Sequence, residues 1–440
     1  MSRNFLVAPG GRLHGTIRVP GDKSISHRSI MLGAIAEGRT EVTGFLEGAD
    51  ALSTMNAFRA LGVSIDGPAA GRVGIGGVGL HGLRAAPGPL DCGNAGTAMR
   101  LMMGLLAGQR FESVLIGDES LSKRPMRRVA DPLALMGARI ETQDGRPPVR
   151  ILPVPTLNGI RYEMPVASAQ VKSALLLAGL YAQGETTVVE PAPTRDHTER
   201  MLGGFGVELE RDGAAVTLRG GQRLQAATID VPADISSAAF FLVGAAICPG
   251  AELRLEHVGM NPTRTGVVDI LRLMGADLVA ENPREVGGEP VADLVVRGGG
   301  LRGIEIPPAL VPLAIDEFPA LFVAAACAEG RTVLTGAEEL RVKESDRIAV
   351  MADGLRTLGV RAEPTPDGIV IEGRGGDAKV FDGGEIAIHH DHRIAMSFAM
   401  AGLRAAGPIA IRDIAVVDTS FPGFAALARS AGLAIREQAA

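Results

Sequence analysis

The chain has 440 residues, 46% of them hydrophobic and 21% charged, a composition typical of a globular protein with enough apolar residues for two cores. A formal net charge of −6 and an aromatic content of 3% argue against a nucleic-acid-binding protein. The chain shows no signal-peptide-like start and no uninterrupted apolar run of the roughly 18 residues that a membrane span needs. We therefore predict a cytoplasmic protein that binds neither nucleic acid nor membranes.

The cysteines are odd in number and widely separated, and they lie mostly in apolar sequence: Cys92, Cys248 and Cys327. This pattern indicates neither a disulfide framework nor a zinc site. We predict reduced cysteines in the core and no bound metal.

A recurring pattern covers nearly the whole chain. Each copy has a polar or small-residue cluster, an apolar helix-like run, a glycine turn, a β-branched run and a second helix that ends in a glycine followed by an apolar residue. The first helices are predicted to begin near Lys23, Asn94, Ser168, Asp234, Asp316 and Asp391. The second helices lie near segments that start at Phe58, Leu133, Gly204, Leu271, Leu355 and Leu427. With a period of roughly 65 to 80 residues, each copy is long enough to be a complete α/β unit.

The composition of the runs predicts which elements lie inside. Runs such as TAMRLMMGLLAG and SSAAFFLVGAAICPG are apolar on most sides, which is typical of buried helices. Segments such as TEVTGF, TTVVEP and RTVLTG are rich in Thr and Val and are predicted to be strands on the outside. The segment from Ala233 to Ser237 is the predicted crossover between two domains of three repeats each.

Several first helices begin with polar, cationic or glycine residues, and a helix N-terminus attracts anions through its free amides and its dipole. The clusters are GDKSISHRS from Gly21, DCGNAGTAMR from Asp91 and SAQVKS from Ser168. Each cluster taken alone is also explained by simple N-capping. Their recurrence favours a site for phosphate or carboxylate groups.

Further cations lie in SLSKRPMRR, TRDHTER and RVKESDR. Arg124 and Arg347 are candidate forks for carboxylate or phosphate, whereas Arg127 and Arg128 are interpreted as surface charge. Lysine is rare, since the 44 basic residues include only Lys23, Lys123, Lys172, Lys343 and Lys379. A lysine kept in such a chain either supplies a compact ammonium or reflects mutational bias, and both interpretations stay open.

Two acids are candidates for proton transfer. Asp316 stands at the start of an apolar helix and Glu344 lies between Lys343 and Arg347, so the pair suits general acid-base catalysis. Asp316 is also explained as a helix cap. The histidine-rich string HHDHRIAMSF suggests either a metal site or an anion-binding helix start with His392 and Arg393, and we favour the second interpretation.

These motifs, in this order, resemble the 5-enolpyruvylshikimate-3-phosphate synthases over nearly the whole chain. The segments are GDKSISHR, DCGNAGTAMR, GDESLSKRPM, SAQVKSALLLAGL, TRDHTE, AIDEFPALFVAAA, RVKESDRI and DHRIAMSFA. SAQVKS, TRDHTE and TSFPGF are closer to the bacterial branch often called class II. The resemblance implies the enolpyruvyl transferase fold, a two-domain inside-out α/β barrel of six βαβαββ repeats. The predicted domains are 1–20 plus 236–440 and 21–235.

The resemblance also implies an activity, transfer of the enolpyruvyl group of phosphoenolpyruvate to shikimate 3-phosphate, without a cofactor and by a monomer. Shikimate 3-phosphate is implied to contact Lys23, Ser24, Arg28, Ser168, Ala169, Gln170, Arg195, Asp316 and Lys343. Phosphoenolpyruvate is implied to contact Lys23, Asn94, Gly96, Arg124, Gln170, Arg347, His392 and Arg393. Asp316 is implied as the base and Glu344 as the proton donor, while Lys23 touches both substrates.

Because these residues lie on both sides of the predicted crossover, we expect the domains to close on the substrates. The resemblance further implies inhibition by glyphosate at the phosphoenolpyruvate site. Two positions depart from the family pattern: Thr419 replaces a lysine found in many relatives, and Leu101 replaces a proline of plant-type members.

Two rival hypotheses remain at this point. A sister enolpyruvyl transferase acts on UDP-N-acetylglucosamine, but it usually has a cysteine in the loop corresponding to Gly117–Ser122, which has none here. A non-enzymatic anion-binding scaffold would not need Asp316 and Glu344.

Overall fold

The computed structural model describes residues 3–376 and 379–439. The chain divides into two compact units. We call Gly21–Val231 with Val286–Glu289 the N unit, and Met1–Pro20, Pro232–Glu285 and Pro290–Ala440 the C unit. The predicted domain boundaries themselves stay a prediction.

Within the described residues, one to four strands separate successive helices along the chain. The helices are α1 (Lys23–Ile35), α2 (Ala49–Ala60), α3 (Gly96–Ala107), α4 (Arg127–Leu135), α5 (Ala169–Gly179), α6 (His197–Gly204), α7 (Ile235–Ile247), α8 (Gly266–Leu273), α9 (Phe318–Ala326), α10 (Arg347–Thr357), α11 (His392–Ala401) and α12 (Phe424–Ser430). The strands are β1 (Arg3–Gly11), β2 (His14–Ile17), β3 (Glu37–Thr43), β4 (Ser64–Ala69), β5 (Arg72–Val78), β6 (Leu90–Asp91), β7 (Ser113–Ile116), β8 (Arg139–Gln143), β9 (Arg146–Leu152), β10 (Leu157–Asn158), β11 (Arg161–Glu163), β12 (Ala182–Gln183), β13 (Glu185–Val189), β14 (Leu209–Asp212), β15 (Ala215–Arg219), β16 (Thr228–Asp230), β17 (Glu252–Gly259), β18 (Asp277–Val286), β19 (Glu289–Arg297), β20 (Leu301–Arg302), β21 (Ala328–Leu334), β22 (Ala362–Thr365), β23 (Gly368–Arg374), β24 (Gly384–Ile386), β25 (Ile409–Ile411) and β26 (Leu433–Ala439).

The four-stranded sheets follow one plan. The N unit contains the orders β16-β3-β5-β4, β6-β7-β9-β8 and β11-β13-β15-β14, and the C unit contains β18-β19-β17-β2, β20-β21-β23-β22 and β24-β25-β1-β26. Each sheet holds one parallel pair. In four of them a single repeat supplies both parallel strands, with α3, α5, α9 or α11 between them. The mixed α/β fold with six related repeats is thus present in the part of the chain described.

In two sheets the parallel partner comes from a distant part of the chain. β2 precedes the N unit in the sequence and β17 follows it, and the two strands pair in the C unit. β16, near the end of the N unit in the sequence, pairs with β3 near its beginning. The chain therefore begins in the C unit, builds the N unit and returns.

The first helix of each repeat is buried, as its apolar composition predicts. Every residue of α7 and of α9 is buried, and α7, α9 and α11 contact one another. Strands such as β3 and β9 alternate between buried and exposed residues, so the sheets have one face outside. None of the helices described in residues 3–376 and 379–439 is long and apolar enough to cross a membrane.

A repeated arginine gives the second helices a common ending. In four repeats the sequence is Arg-x-x-Gly, and the arginine donates to the carbonyl oxygen six residues further on. The pairs are Arg59 with Ile65, Arg272 with Leu278, Arg356 with Ala362 and Arg429 with Ile435, at 2.7 to 3.1 Å. The following glycines, Gly62, Gly275, Gly359 and Gly432, have φ between 82° and 108°, where an L side chain is strained. The repeat in the sequence is therefore a repeat of local structure.

Gly104 shows how closely two central helices approach in the N unit. A Cβ atom on Gly104 of α3 would lie 2.0 Å from the carbonyl oxygen of Ala174 in α5. We predict that Gly104→Ala lowers the free energy of unfolding by about 1 to 3 kcal/mol, because overpacking forces the backbones apart. Urea unfolding measures the effect.

The matched control is Gly203→Ala in α6, where an added Cβ has nothing within 4 Å. Alanine is the better helix former, so this variant should be as stable as the wild type or slightly more stable. Equal stability of the two variants would contradict the close approach of α3 and α5.

Candidate active site

The start of α1 places Lys23 and Arg28 in the N unit. Asp22 caps this helix by accepting from the Ile25 amide at 2.9 Å, and the Lys23 ammonium pairs with the buried carboxylate of Asp50. Ser24 follows, half buried, and its carbonyl oxygen accepts from Arg28 at 2.9 Å. Asp50 was missed by the sequence interpretation, although an acid in the first turn of α2 is an ordinary partner for a cation.

Arg28 is a buried guanidinium that joins three helices. Its Nε donates to Thr198 Oγ1 at 2.7 Å, and one terminal nitrogen donates to Ser173 Oγ at 3.0 Å. Burial, the largest influence, lowers the pKa of Arg28 to about 10, while Glu199 opposes this shift and Arg195 adds to it. Arg195 therefore disfavours the charged form of Arg28, and an anion bound beside Arg28 would favour it.

The start of α3 is built differently, because this helix has no side-chain cap. A Cβ atom on Gly96, its first residue, would lie 3.1 Å from a terminal nitrogen of Arg124 and 3.3 Å from one of Arg100. Asn94 accepts from Arg124 at 2.7 Å and donates to Asp118 at 2.8 Å. The glycine therefore lets two guanidinium groups approach the helix start.

Gln170 connects the starts of α3 and α5. Its side-chain oxygen accepts from Arg100 at 2.6 Å, and its nitrogen donates to Thr97 Oγ1 at 2.9 Å. Ser168 caps α5 by accepting from the Val171 amide at 3.4 Å, and Ala169 is the half-buried first residue of that helix. Arg128, interpreted as surface charge, is exposed but also donates to Gln170 at 3.3 Å.

Arg347 is the centre of the C-unit cluster and is 1% exposed. It donates to Asp391 at 2.8 Å, to Glu344 at 2.5 Å and to Asp316 at 3.2 Å. Burial would lower the pKa of Arg347, but Asp391, Glu344 and Asp316 together raise it above its usual value. One fixed cation thus holds carboxylates from three separate segments.

Asp316 has its carboxylate in this cluster and does not cap α9, whose N-cap is Glu317 without a side-chain bond. Lys343 lies 3.5 Å from Asp316 and 2.7 Å from Glu339. Arg393 donates to the Asp316 carbonyl oxygen at 3.0 Å. Two cations, Arg347 and Lys343, therefore lie beside the Asp316 carboxylate, and Arg393 contacts its backbone.

The histidine-rich string supplies the start of α11. Asp391 caps this helix by accepting from the Arg393 amide at 2.9 Å, and His392 is its buried first residue. In this part of the chain, as elsewhere in the described residues, no group of three or more His, Cys, Asp or Glu side chains is placed to hold a metal. At the predicted anion-binding start of α11, the carboxylate of Asp391 already occupies the capping position.

A second buried network in the C unit was not predicted. Arg264 donates to Ser236 Oγ at 2.6 Å and to Asp234 at 3.3 Å, and the Ser236 hydroxyl donates to Glu317. Glu317 lies 3.8 Å from Arg393. Asp234 and Ser236 lie at a predicted helix start, and Glu317 follows Asp316. The sequence did not connect them, because Arg264 lies in a loop remote from these motifs.

At the two positions that depart from the family pattern, one side chain bonds within its own turn and the other is buried. Thr419 donates to the Val416 carbonyl oxygen at 2.7 Å, so its side chain is used within its own turn. Leu101 is fully buried in α3. The cysteines Cys92, Cys248 and Cys327 are free and buried.

The repeats and the two clusters define a class: a two-unit α/β protein with cations at helix starts in one unit and carboxylates around a buried arginine in the other. A family model for EPSP synthase, also described as 3-phosphoshikimate 1-carboxyvinyltransferase, matches residues 7–427. The chain therefore belongs to the EPSP synthase family.

Individual relatives support membership of the same family. A protein from Alkalilimnicola ehrlichii named 3-phosphoshikimate 1-carboxyvinyltransferase is 68% identical over 432 residues, which cover 98% of this chain and 96% of the relative. One of the same name from Methylococcus capsulatus is 66% identical over 432 residues and covers 98% of both chains. A solved structure of EPSP synthase from Acinetobacter baumannii has 60% sequence identity, a TM-score of 0.91 and coverage of 100% of both chains. The predicted family and α/β fold are confirmed.

His27 offers a test of the buried start of α1. Its Nδ1 lies 2.7 Å from Thr54 Oγ1. Burial, with Lys23 and Arg28 adding to it, lowers the pKa of His27 to about 3. The unfolded chain, with a histidine pKa of about 6.5, then binds one more proton between these values, so stability is lost as the pH falls.

We predict that His27 accounts for about 2 kcal/mol of the unfolding free energy lost by the wild type between pH 7.5 and pH 5. His27→Gln should lose less by that amount, as measured by urea unfolding at both pH values. His81→Gln, at an exposed histidine of the same unit, is the control and should keep the wild-type dependence. Parallel curves for wild type and His27→Gln would show that His27 is not held neutral by burial.

Proposed function

We propose that the chain transfers the enolpyruvyl group of phosphoenolpyruvate to the 5-hydroxyl of shikimate 3-phosphate, releasing inorganic phosphate. This reaction is a step of the shikimate pathway. The observation that carries the proposal is that Arg347 holds Asp316 and Glu344 together, since an acid and a base beside a fixed cation suit an addition and elimination on an anionic substrate. Membership of the EPSP synthase family supports the choice of substrates.

Shikimate 3-phosphate is assigned to the helix starts α1 and α5. Arg28 and Arg195 are assigned to the phosphate. Arg195 disfavours the charged form of Arg28, and a bound dianion would favour it. The remaining residues assigned to this substrate are Lys23, Ser24, Ser168, Ala169, Gln170, Asp316 and Lys343.

Phosphoenolpyruvate is assigned to the uncapped start of α3, where Arg124 approaches Gly96. Two guanidinium groups and a helix N-terminus are suited to a phosphate or carboxylate. The other residues assigned to this substrate are Lys23, Asn94, Gln170, Arg347, His392 and Arg393. The assignment draws on both units, so the proposed reaction requires residues of each.

In the addition, Asp316 removes the proton of the 5-hydroxyl, and the oxygen attacks C2 of phosphoenolpyruvate. The electron pair of the double bond takes a proton from Glu344, so the methylene becomes a methyl group and C2 becomes tetrahedral. An anion that binds Arg347 competes with Glu344 for its guanidinium. Once released from this ion pair, the Glu344 carboxylate takes up a proton from solvent, which it then donates to the methylene. The cations then stabilise the charges that develop.

In the elimination, the Glu344 carboxylate takes a proton from the new methyl group, and the electrons of that C–H bond form the double bond as the C2–O bond to phosphate breaks. Phosphate departs with the electron pair of that bond. The two steps form one C–O bond, break another and transfer protons, and they need no external oxidant or reductant, so the proposal assigns no cofactor. Monomeric state, cytoplasmic location and inhibition by glyphosate stay predictions.

The proposal is tested by release of phosphate from phosphoenolpyruvate with each acceptor in turn. Shikimate 3-phosphate should support turnover, and UDP-N-acetylglucosamine should not. Turnover with the nucleotide sugar alone would move the chain to the sister activity, and turnover with neither would overturn the proposal.

We predict that Asp316→Asn and Glu344→Gln each lower kcat by about a hundredfold or more, since general acid-base groups contribute roughly that much. Shikimate 3-phosphate should still bind measurably, as determined by calorimetry. The controls are Asp353→Asn and Glu363→Gln, at exposed carboxylates of the same unit, and should keep the wild-type kcat. Near-normal turnover in either test variant would remove that residue from its role.

We predict that Arg28→Ala raises KM for shikimate 3-phosphate at least tenfold, because charged hydrogen bonds to a phosphate are strong, and changes KM for phosphoenolpyruvate less. Steady-state kinetics with each substrate varied in turn measures both. Arg223→Ala removes an arginine whose side chain is 77% exposed in the same unit and is the control. Equal changes in both KM values would contradict the assignment of Arg28 to the shikimate phosphate.

A further inference from the structure

Lys172 is a charged residue of α5 in the N unit, and its side chain is 0% exposed. Its ammonium lies 2.8 Å from Glu190 Oε1 and 2.6 Å from Glu199 Oε1, and these side chains are 2% and 10% exposed. A buried ammonium is unfavourable unless it is paired, and two buried carboxylates facing one another are unfavourable without a cation. The three groups therefore hold one another in place.

The carboxylate of Glu190 connects Lys172 to the loop that carries Arg195. While Oε1 contacts Lys172, Oε2 accepts from the Thr194 amide at 3.0 Å and from the Thr194 hydroxyl. Glu190 directly follows β13, so these bonds close the loop between β13 and α6. Arg195 is the next residue after Thr194, and its backbone direction is thus set by a carboxylate that Lys172 orients.

A second set of contacts connects the surroundings of Lys172 to Arg28. Ser173, the next residue of α5, bonds both Thr198 at 2.7 Å and Arg28 at 3.0 Å. Glu199, the second partner of Lys172, follows Thr198 in α6. Lys172 is therefore built into the support of both arginines assigned to the shikimate phosphate.

We propose that Lys172 is a positioning residue for shikimate 3-phosphate, which acts through Glu190 and Thr194 to hold Arg195 beside Arg28. This inference rests on the proposed function. Without the ammonium, Glu190 and Glu199 attract the nearest remaining cations, and Arg28 and Arg195 are then drawn from the substrate phosphate. Arg211 also reaches Glu190, at 3.4 Å, but its side chain is 45% exposed and leaves the interior charge of Glu199 uncompensated.

The main test is Lys172→Met, which keeps much of the side-chain length and removes the charge. We expect KM for shikimate 3-phosphate to rise at least tenfold, while kcat at saturation stays within about threefold and KM for phosphoenolpyruvate changes little. The control is Lys379→Met, at an exposed lysine, which should leave all three constants unchanged.

Unphosphorylated shikimate separates positioning of the phosphate site from general damage. Shikimate lacks the phosphate and is assayed as a competitive inhibitor. Its inhibition constant should therefore change less in Lys172→Met than KM for shikimate 3-phosphate does. Equal weakening of both ligands, or a fall in kcat with an unchanged KM, would assign Lys172 a purely structural role and overturn the inference.

A second variant keeps the inference testable if Lys172→Met does not fold. Thr194→Val removes the hydroxyl bond to Glu190 from a half-buried loop residue and should raise KM for shikimate 3-phosphate in the same selective way. An unchanged KM in Thr194→Val would contradict a path through Glu190 and the loop.

If Lys172→Met folds, the double variant with Thr194→Val should raise KM little beyond Lys172→Met alone, because both changes break one path. Additive effects would show that Lys172 acts elsewhere. The wild type is assayed first: no turnover with shikimate 3-phosphate defeats the proposed function itself, whereas normal turnover with an unaltered KM in Lys172→Met defeats only this inference.

Discussion

Burial of the first helix of each repeat on all its sides is the constraint on which the rest of the structure depends. In the C unit, α7, α9 and α11 contact one another, and α7 and α9 are buried along their whole length. Side chains along α7 and α9 serve mainly for packing, and the polar ones, Ser236 and Ser237, lie at the start of α7. The candidate site is a consequence of this arrangement, because a helix N-terminus is also where anions are stabilised.

The two units use the same repeat for opposite electrostatic purposes. In the N unit cations gather near helix starts, as Arg124 and Arg100 do beside Gly96. In the C unit the buried guanidinium of Arg347 is surrounded by carboxylates. A reaction that binds two anions and moves protons needs cations for the anions and carboxylates for the protons. Six copies of one repeat provide helix starts for both.

The sequence indicated the repeats and the starts of their first helices to within about two residues, because apolar runs, glycine turns and N-capping residues are local signals. It indicated less well what each polar residue does at those starts. Asp316 was open to two interpretations, a helix cap and a catalytic acid or base. The structure excludes the cap, since the N-cap of α9 is Glu317 and this helix start has no side-chain bond, whereas Asp391 does cap its helix.

The sequence by itself determined the α/β class, the six repeats, the family and the motifs from which the candidate residues come, since each is written in short stretches of chain. Only the tertiary structure decided the partners: Asp50 for Lys23, the pairing of β2 with β17, the Arg264 network, and the buried contacts of Lys172 with Glu190 and Glu199. These partners are distant along the chain, and their charges are stable in the interior only at distances and angles that folding sets.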